Sequence, residues 1–274
     1  MLREGPTGLS ALLVGLKLGA FGILRFALPL APEAARDHGW LVMALGGFGA
    51  LYGALAALQQ ANFRKMLAFS SVSHVGLVIV GIATLNLQGV QGAVFQLANF
   101  AMIAGGLFLI AGFLHHRLGS TDLASLGGLA RPLPRLTGFV LLFGMASIGL
   151  PGTSGFAAKL LILIGVWQTH PVLALVAVSG AVLGAAYFLG FFQRAFLGPV
   201  TDPAVAAAVD LRPREVLIAS IMALLVLAGG LFPNGVQGIT ASAANAWVAR
   251  LAMGPTPPVA LARVEAQDSG APAP

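Results

Sequence analysis

The stretch GLPGTSGFAAKLLIL, residues 149–163, decides the fold. It lies inside an apolar run covering 136–168, longer than the about 20 residues that one transmembrane helix needs. Within 149–155, Pro151 and the glycines Gly149, Gly152 and Gly155 cannot continue an α-helix. The run is expected to cross the membrane once, as two half-helices joined by an irregular loop. Such backbone at membrane depth is tolerated only where it is buried in protein or lines a wet cavity. The break therefore points to an ion or substrate path.

Working outward, further apolar runs lie near 7–30, 40–60, 67–86, 90–113, 171–195 and 215–233, which makes about seven crossings with the fifth broken at 149–155. Of the 274 residues, 58% are hydrophobic and 9% charged, against roughly 25% charged in a soluble domain. The chain is thus an all-α integral membrane protein. The absence of cysteine excludes a disulfide, a thiolate zinc site and a cysteine-ligated iron–sulfur cluster, so no cofactor is expected in this chain. The net charge of +6 comes from basic residues scattered singly through short loops. That pattern does not suit nucleic acid and serves instead as a topology signal.

With seven crossings, one side receives Arg3, Arg64, Lys65, Arg117, Arg131, Arg135, Arg194, Arg212 and Arg214, and the other Arg25, Arg36, Arg250 and Arg263. Cytoplasmic loops carry the excess of basic residues, so the N-terminus is expected in the cytoplasm and the C-terminus on the far side. Trp40, Trp167 and Trp247 then share the non-cytoplasmic interface. The N-terminus runs into the first apolar segment without a small-residue cleavage site, so no removable signal peptide is expected. Val236, Ile239, Ala243, Trp247 and Leu251, at steps of three and four, suggest an interfacial amphipathic helix over 234–252. Residues 1–252 read as a single transmembrane domain, and 253–274, rich in Pro, Ala and charge, as a disordered tail.

Lys17, in the first run, lies near the middle of the membrane, where a lysine costs ~2.5–3.5 kcal/mol on insertion scales. Lys159 follows the break by one turn. Lys17 reads either as a proton-carrying group or as a lysine that snorkels or helps helices associate, and Lys159 either as a proton-carrying group or as a snorkelling lysine on a short half-helix. His74, beside Ser70, Ser71 and Ser73, reads equally as a proton relay or a hydrogen-bonded packing residue. His115, His116 and Arg117 are adjacent on one helix and do not face one another; they suit headgroup contact better than metal binding. Gln96 and Asn99 suit hydrogen bonding between helices, with a water path as the alternative. The nine acidic residues lie outside the long apolar runs or, for Glu215, at the very start of one, so the two lysines and the histidine have no carboxylate in their layer.

The segments LKLGAFGILRFALPL (16–30), FRKMLAFSSVSHVGLV (63–78), QGAVFQLANFAMIAGGLFL (91–109) and the broken-helix stretch, in that order and spacing, resemble the antiporter-like proton-pumping subunits of respiratory complex I, of the NuoM type. That family also includes Mrp-type cation/proton antiporter subunits and membrane subunits of energy-converting hydrogenases. Its members have fourteen spans with two inverted repeats, and the resemblance covers the second half, from about residue 7 to 250. It implies that Lys17 is the central lysine of a hydrophilic axis, His74 the relay histidine and Lys159 the terminal residue of the second half-channel. The NuoM type carries glutamate where this chain has Lys159, and a second histidine where it has Phe100.

The resemblance implies a proton-translocating membrane-arm subunit of a complex I-like NADH:quinone oxidoreductase, with no redox site of its own. Its partners would be the lipid bilayer, other membrane subunits and a chain or segment supplying the first half. The alternatives are a subunit of a cation/proton antiporter, inorganic-carbon uptake complex or energy-converting hydrogenase, and a non-conducting structural remnant.

Overall fold

The computed structural model describes residues 18–200 and 202–253. Lys17 and the tail from residue 254 lie outside the described residues. Helix α1, Leu18–Leu30, contains a π-helical turn at Ile23–Ala27. It is followed by α2 (Pro32–Leu58), α3 (Phe63–Ala83), α4 (Leu87–Leu118), α5 (Pro134–Ile148), α6 (Ser154–Thr169), α7 (Pro171–Phe196), α8 (Pro213–Leu231) and α9 (Pro233–Met253). Five of these, α2, α3, α4, α7 and α8, are long and apolar enough to cross a membrane.

The helices begin earlier than the apolar runs because capping residues start them. Pro32, Pro134, Pro171, Pro213 and Pro233 each open a helix, where the missing N–H costs nothing. Asn62 and Asn86 cap α3 and α4, their side chains accepting from Lys65 N (3.2 Å) and Gly89 N (2.8 Å).

Helices α5 and α6, of 15 and 16 residues, rise only about 23 and 24 Å, less than the ~30 Å hydrocarbon layer. Their contacts show that they act as one crossing. Along α4, Gly89, Gly92, Asn99 and Gly106 meet Gly165, Ile162, Ser154 and Phe143 in turn. The partner numbers fall steadily as the α4 numbers rise. The two halves are stacked end to end, antiparallel to α4, as expected for a broken span.

Close packing of α2 on α3 uses small residues, as is usual where lipid supplies no hydrophobic drive between helices. Gly39, Met43, Gly46, Ala50, Gly53 and Ala57 form the buried stripe of α2, and a Cβ added to Gly46 would stand 2.9 Å from the Gly76 carbonyl. The largest apolar cluster gathers Phe63, Met66, Phe143, Phe191 and Phe196 from α3, α5 and α7.

Polar contacts divide the bundle into two ends. At one end Arg117 pairs with Glu215 and donates to the carbonyls of Val209 (2.8 Å) and Asp210 (3.3 Å). Asp210 in turn accepts from the first amides of α5, Arg135 N and Leu136 N. Arg117 is therefore tied to the connection between α7 and α8, which corrects its reading as a headgroup contact. The Asn86 side chain donates to Gly165 O at the other end (2.7 Å), where Trp40 and Trp167 also lie.

Helix α9 is present, and of the expected stripe Trp247 turns inward while Ala243 does not. Ala244 is buried and Ala243 exposed, with Trp247 half-buried and donating through Nε1 to Leu24 O (2.9 Å). Adjacent alanines offer little apolar contrast by which one of them can be placed inward. The side chains of Val236, Ile239 and Leu251 lie outside the described residues.

Removing either partner of the Arg117–Glu215 pair should cost on the order of 2 kcal/mol, since hydrogen bonds to charged groups are the strong class. A double-mutant cycle of Arg117→Ala and Glu215→Ala, read by unfolding in detergent, should return a coupling of about 1 kcal/mol.

Candidate functional site

The site begins with a hydrogen bond that cannot form. In an unbroken helix the carbonyl of Ser147 would accept from the amide of residue 151, but Pro151 has none. Gly149, at φ 101°, turns the chain out of the helix, and its amide and that of Leu150 both bond back to Met145 O. The carbonyls of Ser147 and Ile148 are left at the negative end of the α5 dipole.

Lys159 fills this gap. Long side chains on a helix lean toward its N-terminus, so Lys159, in the second turn of α6, reaches back over the break. Its Nζ donates to Ser147 O (2.6 Å) and Ile148 O (3.0 Å). The residue is only 6% exposed. The break and the lysine thus form one device, in which two orphaned acceptors hold a buried ammonium group without any carboxylate.

Close approach of the half-helices makes this reach possible. Gly155 packs against the Ala146 carbonyl, where a Cβ would overlap it. Ser154 Oγ bonds Asn99 Oδ1 on α4, so Asn99 makes the interhelical bond expected of it. Gln96, on the same α4 face, is buried, and its Oε1 has no hydrogen-bond partner among the described residues. Gly230, at the end of α8, presses on Gly152 and Thr153 and covers the loop.

His74, 7% exposed, points at the same junction. Its Nε2 lies 2.9 Å from Ser147 Oγ, and it is near enough to Lys159 for the two charges to repel when both are present. The neighbouring serines are not its partners. Ser70 and Ser71 Oγ each donate to Leu67 O at 2.8 Å. Phe100 stands beside the imidazole, with ring centroids 5.6 Å apart. Two residues that sequence reading did not single out complete the cluster: Ser147 itself, and Tyr187 of α7, buried beside it. A cavity between α2, α3, α6 and α7 borders His74, Lys159 and Tyr187; its ≈ 10 Å³ of room for a water's centre suits about one water.

Lys159 and His74 are thus brought to one residue, Ser147, whose carbonyl takes one and whose hydroxyl takes the other. Gly149, Pro151 and Gly152 form the break, and Gly155 lets the halves approach. The position of Lys17 relative to them is outside the described residues.

Residues 2–184 match the family described as NADH:quinone oxidoreductase/Mrp antiporter, TM, and the chain belongs to that family. It is 37% identical over 238 residues to the NADH-quinone oxidoreductase subunit M of Rickettsia prowazekii, covering 86% of this chain and 48% of that one. Among solved structures, respiratory complex I from Thermus thermophilus with bound NADH contains a chain of similar fold, with TM-score 0.81, 34% identity and coverage of 86% of this chain and 50% of that one. The Mrp complex from Dietzia sp. DQ12-45-1b matches in fold with TM-score 0.69 at 22% identity, over 78% of this chain and 49% of that one. This chain spans about half the length of the curated relatives it matches.

Gly155→Ala should lower stability by about 1–3 kcal/mol, the usual cost of overpacking, because its Cβ has only the Ala146 carbonyl to displace. Gly138→Ala, with nothing within 4 Å of the added Cβ, should be neutral or slightly stabilising. Thermal unfolding of the two variants in detergent checks the contrast.

Proposed function

We propose that this chain translocates protons as part of the membrane arm of a complex I-like NADH:quinone oxidoreductase, with Lys17, His74 and Lys159 as its proton-carrying groups. The observation that carries the proposal is the buried Lys159 ammonium, held by the carbonyls of a broken helix and one residue away from a buried imidazole. A structural lysine has no need of such a neighbour, and burial of this kind is costly enough to be kept for function.

Proton movement here needs no redox group in the chain. A charge arriving near one end of a row of buried cations raises the energy of the next and favours release of its proton, because like charges repel strongly at low dielectric. Repetition of that step along the row would carry protons while the electron chemistry takes place in partner subunits. The family membership and the relatives' names support placing the chain among such partners, with the remaining half of the relatives' length supplied in the assembly. The basic residues gathered at the Arg117 end support a cytoplasmic placement of that end in a prokaryotic inner membrane.

Lys159→Ala and Lys17→Ala should each abolish proton uptake driven by NADH in membrane vesicles, with the chain still present in the assembled complex. Undiminished uptake would refute the proposal. The fold shared with the Mrp complex keeps one competitor in view: sodium-dependent antiport that persists without any quinone reductase would favour it.

A further inference from the structure

We infer that the Ser147 hydroxyl is the proton link between Lys159 and His74, and that Tyr187 positions it. The inference rests on the proton-translocating reading above and adds two residues to it.

The first observation is where Ser147 does not bond. Serine and threonine hydroxyls inside helices commonly return to a carbonyl of their own helix. Here Ser70 and Ser71 bond Leu67 O, Thr137 bonds Leu133 O and Ser179 bonds Val176 O. Ser147 Oγ instead reaches another helix, meeting His74 Nε2 on α3 at 2.9 Å, while Tyr187 of α7 borders the cavity beside His74 and Lys159. The second observation is the position of the Lys159 ammonium on the carbonyl of that same residue, at 2.6 Å. Proton donor, relay and acceptor therefore meet at a single residue.

The step conserves every atom. Rotation of the Lys159 side chain moves Nζ from the carbonyl of Ser147 to its hydroxyl. One N–H proton passes to Oγ as the hydroxyl's own proton passes to the Nε2 lone pair of His74. Nζ is left as an amine, the serine is unchanged and the imidazole becomes imidazolium. The imidazole must begin with its proton on Nδ1. A backbone carbonyl cannot perform this exchange, because it has no proton to give, so the carbonyl holds the ammonium and the hydroxyl passes the proton.

Tyr187 acts as a positioning residue. Its ring is buried in the largest apolar cluster, and it lines the small cavity that His74 and Lys159 also border, beside the junction at Ser147. The arrangement holds Oγ toward His74 rather than leaving it to turn back to Phe143 O on its own helix.

The test uses vesicles containing the assembled complex, in which proton uptake per NADH oxidised is measured for Ser147→Ala, Ser147→Thr, Tyr187→Phe and Lys159→Ala, with chain abundance checked for each. The expected result is a loss of at least three-fold for Ser147→Ala, recovery to at least half of the parent value for Ser147→Thr, and an intermediate value for Tyr187→Phe. Parent-level uptake in Ser147→Ala overturns the link. Equal losses in Ser147→Ala and Ser147→Thr also overturn it, since a hydroxyl would then be irrelevant. If Ser147→Ala fails to assemble, Tyr187→Phe decides, because it removes one oxygen and keeps the ring; parent-level uptake there overturns the positioning role. Full uptake in Lys159→Ala would instead overturn the proton-translocating reading itself, and the two failures are thereby distinguished.

Discussion

The arrangement of this bundle depends on one missing amide proton. Because Pro151 cannot donate to Ser147 O, the span covering 134–169 ends one helix in mid-membrane and begins another. An unpaired carbonyl in hydrocarbon costs several kcal/mol, so a donor has to be supplied from elsewhere. Lys159 supplies it from the second half-helix. The lysine is thus required by the break for hydrogen bonding, and the break is required by the lysine as a place where an ammonium group is tolerated. Neither element explains itself without the other.

That mutual dependence shapes the surroundings. A cation satisfied by carbonyl dipoles carries no permanent counter-ion, so the charge on the site can change without leaving a carboxylate unpaired. Among the described residues the acids keep to the ends: Glu33 and Asp37 in the first two turns of α2, Glu215 in the first turn of α8, and Asp122, Asp202 and Asp210 in connections. They are used there for structure, capping α5 through Asp210 and pairing Arg117 through Glu215. Small residues take the opposite role at the centre. Glycine and alanine on α2, α6 and α7 bring backbones close enough that a three-atom cluster of serine, histidine and lysine groups can form between helices with room for little more than a water.

How much of this was legible in the sequence follows from how local each signal is. The break, its glycines and Lys159 lie within one stretch of fifteen residues, 149–163, and proline and glycine state their backbone consequences without help from the rest of the chain. Helix number was legible for the same reason, since hydropathy in a membrane is nearly a one-dimensional signal. The partner of His74 was not, because Ser147 is 73 residues away and the adjacent serines offered a nearer but false answer. Tyr187 was missed although it is one of only two tyrosines in the chain; a buried phenol in an apolar span needs a polar partner, and that need was the available clue. In α9 Ala243 and Ala244 are indistinguishable by hydropathy, so which of the two faces inward was not legible.

Phe100 shows how the same constraint directs the polar route. Its ring lies against His74 from the α4 side, and an apolar ring there neither accepts nor passes a proton. The imidazole has its polar neighbour on the other side, toward α5, where the interrupted helix ladder has already gathered a hydroxyl, a carbonyl and an ammonium group. A chain lacking a polar group at position 100 can therefore keep a continuous polar cluster around His74 only by drawing on the broken span. The cluster follows the place where the backbone itself is unsatisfied, so a single proline sets both where the helix stops and where charge can reside.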